Sequence, residues 1–286
     1  MWPSLKGSER NMSRWIEIGL KRGCAALSAL AVLLGLAAPL AAADKTARDV
    51  TELLFSARPE APADLSNLDL SYLDLAGLDF KGANLSDADL YGSDLTGARL
   101  RGANLSFTRL DRALLISADF AGANLEGVRM LRPTVFSDMR FNHAEAPRFQ
   151  GARMVGIRVQ ARMDGADFTE ADLTEADFSP FEDRAGEGTI TTVPRNELTS
   201  ANFTRAKMVR ANLRRAIMRF ATLRDADLTN ADLTEVDLTQ ADFTGADVTG
   251  ADFSGADLAR VDLSTVKGLD KAKGLDTAVN VSSALR

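Results

Sequence analysis

The chain has 286 residues and a formal net charge of −6 at neutral pH, and 45% of its residues are hydrophobic. This composition excludes an intrinsically disordered chain, because the apolar surface that it can bury offsets the entropy lost on ordering. Aromatic residues make up only 6%, so a core built on large rings is not expected. One Cys and one His leave almost nothing for disulfide frameworks, zinc clusters or Cys/His and Ser/His/Asp catalysis.

Residues 1–43 have the order of a secretory signal peptide. A basic stretch precedes an apolar run over 24–40, and three alanines at 41–43 supply an A-x-A cleavage site. Met1 and Met12 are both candidate starts for this segment. The apolar run is short for a stable membrane span, although an uncleaved N-terminal anchor is the alternative. We therefore predict cleavage after Ala43 and a periplasmic or secreted protein.

The rest of the chain repeats with a period of five. Every fifth residue is apolar from Leu65 to Met130 and again from Leu198 to Leu263, with a shorter run over 163–178. Ala usually stands two positions before this central residue, and Asp or Asn one position before it. Such a period fits neither a helix nor a simple strand. It predicts short extended sides joined by turns, with four sides to a coil of about 20 residues and coils stacked about 4.8 Å apart.

The central apolar residues are therefore the predicted core. Their side chains are expected to form a column along the inside of the stacked coils, with Ala at the tighter positions. Representative members are Leu70, Leu85, Leu105, Leu125, Phe168, Phe203, Leu228, Leu233, Phe243 and Leu258.

Individual repeats such as ANLSD at 83–87 and ADLTE at 231–235 resemble the pentapeptide-repeat family. The resemblance covers most of residues 63–263 and implies an all-β fold, a right-handed quadrilateral β-helix. It does not fix the function, because one fold hosts many activities. Some members of this family mimic DNA and occupy the DNA-binding groove of type II topoisomerases.

Segments outside the regular repeat divide the chain. Residues 44–62 contain the capping-box pattern Thr46-x-x-Asp49 before an apolar face, which predicts a short capping helix over 46–56 and a lead-in. Regular coils are predicted at three ranges, and a closing cap and tail follow them. The coil ranges are 63–130, 163–178 and 198–263, and the cap and tail occupy 264–286.

Two breaks interrupt the coils. Over 131–162 the five-residue period is only approximate. The central residues have numbers that are multiples of five before this segment and numbers ending in 3 or 8 after it. A net slip is therefore expected there, as a kink, a bulged coil or a protruding loop. Residues 179–197 lack the motif, but Phe178 and Leu198 are separated by four repeat lengths, which fits either a surface loop or one atypical coil.

Charge alternates in bands along the chain. Residues 96–163 carry a net charge of +6, 164–199 carry −8, 200–224 carry +7 and 225–263 carry −9. On a four-sided coil, the basic residues of 200–224 form a ring that reaches every face, which we call the basic ring. We predict it as a candidate partner-binding surface, and its members are Arg205, Lys207, Arg210, Arg214, Arg215, Arg219 and Arg224.

The following band, 225–263, repeats Asp at one motif position, and we call it the acidic coils. Asp at this position either supports the turn and solubility or forms a surface for cationic partners. A weak site for divalent cations between acidic columns is part of the second interpretation.

The sequence offers no catalytic constellation. His143 has no second His to share a metal, and the carboxylates repeat so regularly that no pair is singled out for acid–base work. We therefore predict no enzyme, no cofactor, no metal and no nucleic-acid ligand. The predicted function is an exported, non-enzymatic binding or scaffolding protein that acts through protein contacts, with an end-to-end homodimer as one assembly. The alternative is a DNA-mimicking modulator of a type II topoisomerase, against which the basic ring and the export signal both count.

Overall fold

Regular secondary structure is sparse in the computed structural model, which describes residues 43–138, 142–180 and 194–281. The predicted signal peptide therefore lies outside the described residues, apart from Ala43. Two short strands pair in parallel, with Arg129 opposite Arg158. The elements are the helix α1 (Ala47–Ser56), the strands β1 (Arg129–Leu131) and β2 (Arg158–Gln160), and two 3-10 helices, His143–Glu145 and Leu269–Lys271.

Most of the chain is held by isolated parallel bridges instead. The residue before each central position pairs with the equivalent residue four pentapeptides later, as Asp64 does with Asn84. Four columns of bridges arise in this way, and we number the faces 1 to 4 from the columns that begin at Asp64, Asp69, Asp74 and Asp79. The repeat thus builds a four-sided coil, because each pentapeptide supplies one side.

The central side chains fill the inside of the coils. All of the representative core residues named above have no exposed surface. On face 4, four phenylalanine rings from successive coils lie parallel, with centroid separations of 5.1, 5.0 and 4.8 Å. We call these rings, Phe120, Phe149, Phe168 and Phe203, the phenylalanine ladder. It crosses the irregular part of the sequence and joins the coils on either side.

Each corner is a tight turn that explains the repeat's polar positions. At a representative corner, the Ala88 amide donates to the Leu85 carbonyl at 3.1 Å, and Asp87 has φ +57°. The Asn84 side chain also accepts the amide of Ser86 at 3.2 Å. Asn and Asp make this local bond readily and tolerate the left-handed conformation. This bond explains why the repeat favours Asp or Asn before the centre, although Leu114 and Ile217 also fill that position.

The irregular stretch changes coil length without breaking the stack. Asp119 on face 4 pairs with Arg148, and Arg148 pairs with Asp167. The first of these coils is therefore nine residues longer than a regular one, and the next is one residue shorter. The extra residues include the 3-10 helix that begins at His143 and lie between faces 3 and 4. Together the two changes move the central positions onto numbers ending in 3 and 8.

The second break adds no coil to the described stack. Asp177 on face 2 bridges directly to Asn212 of the next coil, so no further coil lies between them. Glu197 occupies face 3 of the same turn, and the chain leaves and rejoins at the corner between faces 2 and 3. Asn196 fixes the return, because its buried side chain accepts the Ala161 amide at 2.7 Å and donates to the Val159 carbonyl at 3.1 Å. Residues 181–193 of this excursion lie outside the described residues.

Helix α1 has the predicted capping box. The Thr46 hydroxyl accepts the Asp49 amide at 3.2 Å, and the Asp49 carboxylate accepts the Thr46 amide at 2.8 Å. Val50 and Leu54 are buried in the same core cluster as the coils. The Lys81 ammonium group donates to the Leu54 carbonyl at 2.9 Å, which satisfies a carbonyl in the last turn.

The closing coil depends on glycines that contact backbone. Gly274 has φ +70°, and a Cβ atom built on it would lie 2.6 Å from the Ser254 Cα. Gly97 has φ +64° but nothing within 4 Å of the same position. We expect Gly97→Ala to cost about 1–2 kcal/mol from the left-handed backbone alone. Gly274→Ala is expected to displace the last coil as well. The new Cβ atom would overlap the backbone of Ser254, which cannot rotate away as a side chain could.

Amide hydrogen exchange measures this difference. In Gly274→Ala, the amides of Lys273 and Val279, which donate to the preceding coil at 2.8 and 2.9 Å, should lose their protection. In Gly97→Ala they should keep it. Equal protection of these amides in the two variants would show that the close approach at Gly274 does not hold the coil.

Candidate interaction surface

The structure places the basic ring around one level of the stack. Lys207 lies on face 1, while the six arginines lie at or beside the four corners. Their side chains are between 34% and 57% exposed, so the ring does reach every face as predicted from the sequence. The sequence did not show whether these charges form ion pairs within the chain.

Every member of the basic ring contacts a carboxylate of a neighbouring coil. On one side, Arg205 lies 2.6 Å from Glu170 and Lys207 lies 3.7 Å from Asp172. Arg210 makes the equivalent contact with Glu175, also at 2.6 Å. The first half of the ring is thus joined to the acidic coil before it.

The second half of the ring turns to the opposite side. Glu235 lies 3.7 Å from Arg214 and 3.4 Å from Arg215. Arg219 and Arg224 each lie 2.5 Å from a carboxylate, and their partners are Asp237 and Asp242. Exposed ion pairs of this kind contribute about 0.2–1 kcal/mol each. The ring therefore joins two acidic regions and has most of its charge neutralised within the chain.

The acidic coils use one oxygen of each repeated Asp for a turn. The Oδ1 atoms of Asp227, Asp232, Asp247 and Asp252 accept the amide two residues later, at distances from 2.9 to 3.0 Å. Hydrogen bonds from Thr249 hold the pKa of Asp247 below its usual value. The interpretation that Asp serves the turn is therefore correct for these coils.

The second oxygen of these carboxylates is left without an ion-pair partner. Among the described residues, no Lys or Arg nitrogen lies within 4 Å of Asp227, Asp232, Asp247 or Asp252, whereas every residue of the basic ring has such a contact. Bridges place Asp247 directly after Asp227 on face 1, and Asp252 directly after Asp232 on face 2. Two neighbouring faces thus present stacked, half-buried carboxylates without an ion pair, and Lys267 and Lys273 are the next residues in these two columns.

A divalent cation site does not emerge from this arrangement. Within the part of the chain that the structure describes, no three carboxylate, His or Cys groups come close enough to hold a metal ion. His143 is an exposed residue at the start of a 3-10 helix, inside the irregular stretch. No helix within the described ranges is both long and apolar enough to cross a membrane.

Solved structures of other repeat proteins are similar to this chain. Two of them are HetL, involved in heterocyst differentiation regulation in the cyanobacterium Nostoc sp. strain PCC 7120, and a pentapeptide-repeat protein from the thylakoid lumen of Arabidopsis thaliana. HetL is 24% identical over 78% of this chain and 92% of its own, with a TM-score of 0.34. The Arabidopsis protein is 28% identical over 42% and 72%, with a TM-score of 0.24.

Full-length QnrB1, a plasmid-mediated fluoroquinolone resistance protein, is 19% identical over 72% of this chain and 92% of its own, with a TM-score of 0.41. A comparison with curated protein sequences gives no match. The family model of pentapeptide repeats matches the chain with eight copies. The matched residues span more than half of the chain and are 63–102, 93–130, 159–179, 197–234 and 231–267. The chain therefore belongs to the pentapeptide-repeat family.

Proposed function

We propose that this protein is an exported, non-enzymatic binding or scaffolding protein that acts through protein contacts, with the acidic coils as its main contact surface. The observation that carries the proposal is the contrast in charge compensation. The basic ring is neutralised within the chain, whereas Asp227, Asp232, Asp247 and Asp252 have no ion-pair partner among the described residues.

Electrostatics favours a basic partner for this surface. Unit charges about 5 Å apart repel by about 0.8 kcal/mol in water, and Asp227 and Asp247 are neighbours in one column. A cationic protein surface relieves this repulsion on both faces at once. The interaction is expected to weaken as salt is added, because exposed charges are screened.

The basic ring takes a supporting part in this proposal. Its arginines join the acidic coils to the preceding acidic coil, so that charge bands of opposite sign stack without mutual repulsion. Their outer surfaces remain partly exposed, and the ring stays a candidate for direct contact with acidic residues of the partner.

Export, the handedness of the coil and the capping of its first turn belong to the same proposal. The order of basic, apolar and small residues in 1–43 supports export. Burial of Val50 and Leu54 in the core cluster supports α1 as the cap of the first coil, as a stacked solenoid requires. The right-handed sense of the coil follows from the family resemblance.

A DNA-mimicking modulator of a type II topoisomerase is the second candidate. It is favoured by the regular stacking of Asp on faces 1, 2 and 3, where Asp227, Asp232 and Asp237 each pair with an Asp of the next coil. Four charges per coil correspond to about one per 1.2 Å, comparable with one per 1.7 Å in duplex DNA. Because the basic ring is neutralised within the chain, it repels a DNA-binding surface less than its seven free charges would. Export separates the two candidates.

The N-terminal sequence and the cell fraction of the protein from its native host test export directly. We expect a chain that starts at Asp44 outside the cytoplasm. An intact chain in the soluble cytoplasm would refute export and favour the topoisomerase candidate.

The contact surface is tested by neutralising it without changing the turns. Asn already fills the same turn position in Asn84 and Asn212, where its side chain accepts the amide two residues later. We therefore expect a fourfold Asp→Asn variant to fold normally but to lose its partner in photo-crosslinking within the native host. The four changed residues are Asp227, Asp232, Asp247 and Asp252.

A matched control makes the same charge change elsewhere. Four carboxylates near the start of the stack also lack an ion pair among the described residues and accept an amide two residues later, at 2.8–3.2 Å; they are Asp64, Asp69, Asp74 and Asp94. Their Asp→Asn variant should keep the crosslinked partner. Equal loss in both variants would show that net charge, and not the acidic coils, governs the contact.

A further inference from the structure

A basic cavity lies at the corner between faces 2 and 3, in the first half of the stack. Its volume is about 250 Å³, which suits a small ligand. It draws residues from four successive coils, and the Gln160 amide at its edge donates to the Pro194 carbonyl at 3.1 Å. Four arginines, one tyrosine and this glutamine dominate the lining: Arg109, Arg112, Arg129, Arg132, Tyr91 and Gln160.

The floor of the cavity is a buried carboxylate that positions two of the arginines. Asp111 is 3% exposed, and its Oδ1 atom accepts the Leu131 amide at 3.0 Å. Its Oδ2 atom lies 3.0 Å from the Arg109 Nε and 2.8 Å from an Arg129 guanidinium nitrogen. Arg109 also lies over the Tyr91 ring, 4.3 Å from the centroid. These two guanidinium groups are therefore held in place by contacts inside the cavity.

The other two arginines have no carboxylate partner. Arg112 and Arg132 are exposed corner residues of adjacent coils, and the Arg112 amide donates to the carbonyl of Leu131 at 2.9 Å. Within the described part of the chain, no carboxylate lies within 4 Å of either guanidinium group, although nearly all other arginines of the coils are paired. Two exposed positive charges on adjacent coils thus line the cavity without a carboxylate partner among the described residues.

We propose that this cavity binds a phosphoryl dianion. Its four guanidinium charges face two carboxylates, Asp111 and Asp89, the latter 3.2 Å from Arg109. The excess of two positive charges matches a dianion and exceeds what a single carboxylate neutralises. Guanidinium groups present planar forks of N–H donors that suit phosphate oxygens. This site lies away from the acidic coils and does not depend on their proposed partner.

Calorimetric titration of the full chain with inorganic phosphate tests the proposal. The titration is run at constant ionic strength, with chloride as the competing monoanion. The double variant Arg112→Gln/Arg132→Gln is expected to bind phosphate at least tenfold more weakly than the unchanged protein. The control Arg205→Gln/Arg210→Gln makes the same change in net charge within the basic ring and should keep the affinity.

A parallel titration with O-phosphoserine identifies the source of the phosphoryl group. Tighter binding of O-phosphoserine than of phosphate indicates a monoester ligand, and tighter binding of phosphate indicates the free anion; both support the site. The proposal is overturned if neither ligand binds, if chloride competes as well as phosphate, or if the ring control weakens binding as much as the cavity variant. Binding of duplex DNA alone, with no response to phosphate, also overturns it.

Discussion

Leu228→Asp is expected to abolish the folding of the coils around it. Leu228 has no exposed surface and lies in the continuous core of the stack. A carboxylate at this position would be buried without a partner, which is among the most costly changes that a core can suffer. Because each coil of a solenoid is stabilised by its neighbours, the loss should spread to both sides. We expect destabilisation beyond about 4–5 kcal/mol, the upper range for single substitutions.

Urea denaturation followed by circular dichroism measures the effect. Leu228→Met is the matched control, since a volume-conserving apolar exchange usually costs less than about 1.5 kcal/mol. Asp227→Asn, one residue earlier on the outside of the same side, should leave the transition unchanged. A Leu228→Asp variant with the stability of Leu228→Met would contradict the packing described above.

Phe168→Ala is expected to separate the two halves of the stack. Phe168 lies 5.0 Å from Phe149 and 4.8 Å from Phe203, with both pairs of rings parallel. Truncation of a buried Phe typically costs about 3–5 kcal/mol. Each stacked pair adds about 0.5–1.5 kcal/mol, so we expect a loss at the upper end of that range. The ladder passes through both coils that are longer than a regular one, from Asp119 to Arg148 and from Asp167 to Asn202.

Two unfolding transitions in place of one would show this separation. Phe243→Ala serves as the control, because Phe243 is equally buried but has, among the described residues, only a tilted ring beside it, Phe253 at 6.3 Å. It should lower stability by about 1 kcal/mol less than Phe168→Ala and keep a single transition. If both variants unfold alike, the phenylalanine ladder has no special part in joining the halves.

The coils themselves were predictable because the repeat leaves little freedom. An apolar residue at every fifth position from Leu65 onwards defines the side, and Asp or Asn before it defines the turn. The same regularity hides the role of the repeated Asp. Spacing shows where Asp227 stands, but only the bond from the Thr229 amide to its carboxylate shows what it does there.

The partners of the first half of the basic ring could not be predicted for a different reason. Arg205 contacts Glu170 across a coil that the excursion before Asn196 has lengthened, so the regular interval does not relate the two residues. The spacing between Phe178 and Leu198 fits either a loop or a coil, so contacts across this segment cannot be assigned from the sequence. Asn196 itself lies in a segment without the motif, so nothing in the pattern marks it as a buried residue.

The basic cavity could have been predicted from the sequence. Arg112 and Arg132 are separated by four pentapeptides, so they occupy the same corner of adjacent coils, and Arg109 and Arg129 repeat the same interval. The net charge of a band does not show this pairing, whereas the charge of each corner taken separately does.

The parallel bridges make one coil the amount of chain that is released in a single step under tension. Hydrogen bonds between coils run along the stack, so tension applied along that direction peels the terminal coil from its neighbour, one set of four bridges at a time. Each regular coil would release four pentapeptides, or about 70 Å of extended chain. The two long coils would release more, and a record of extension against force would read out their positions as steps of unequal size.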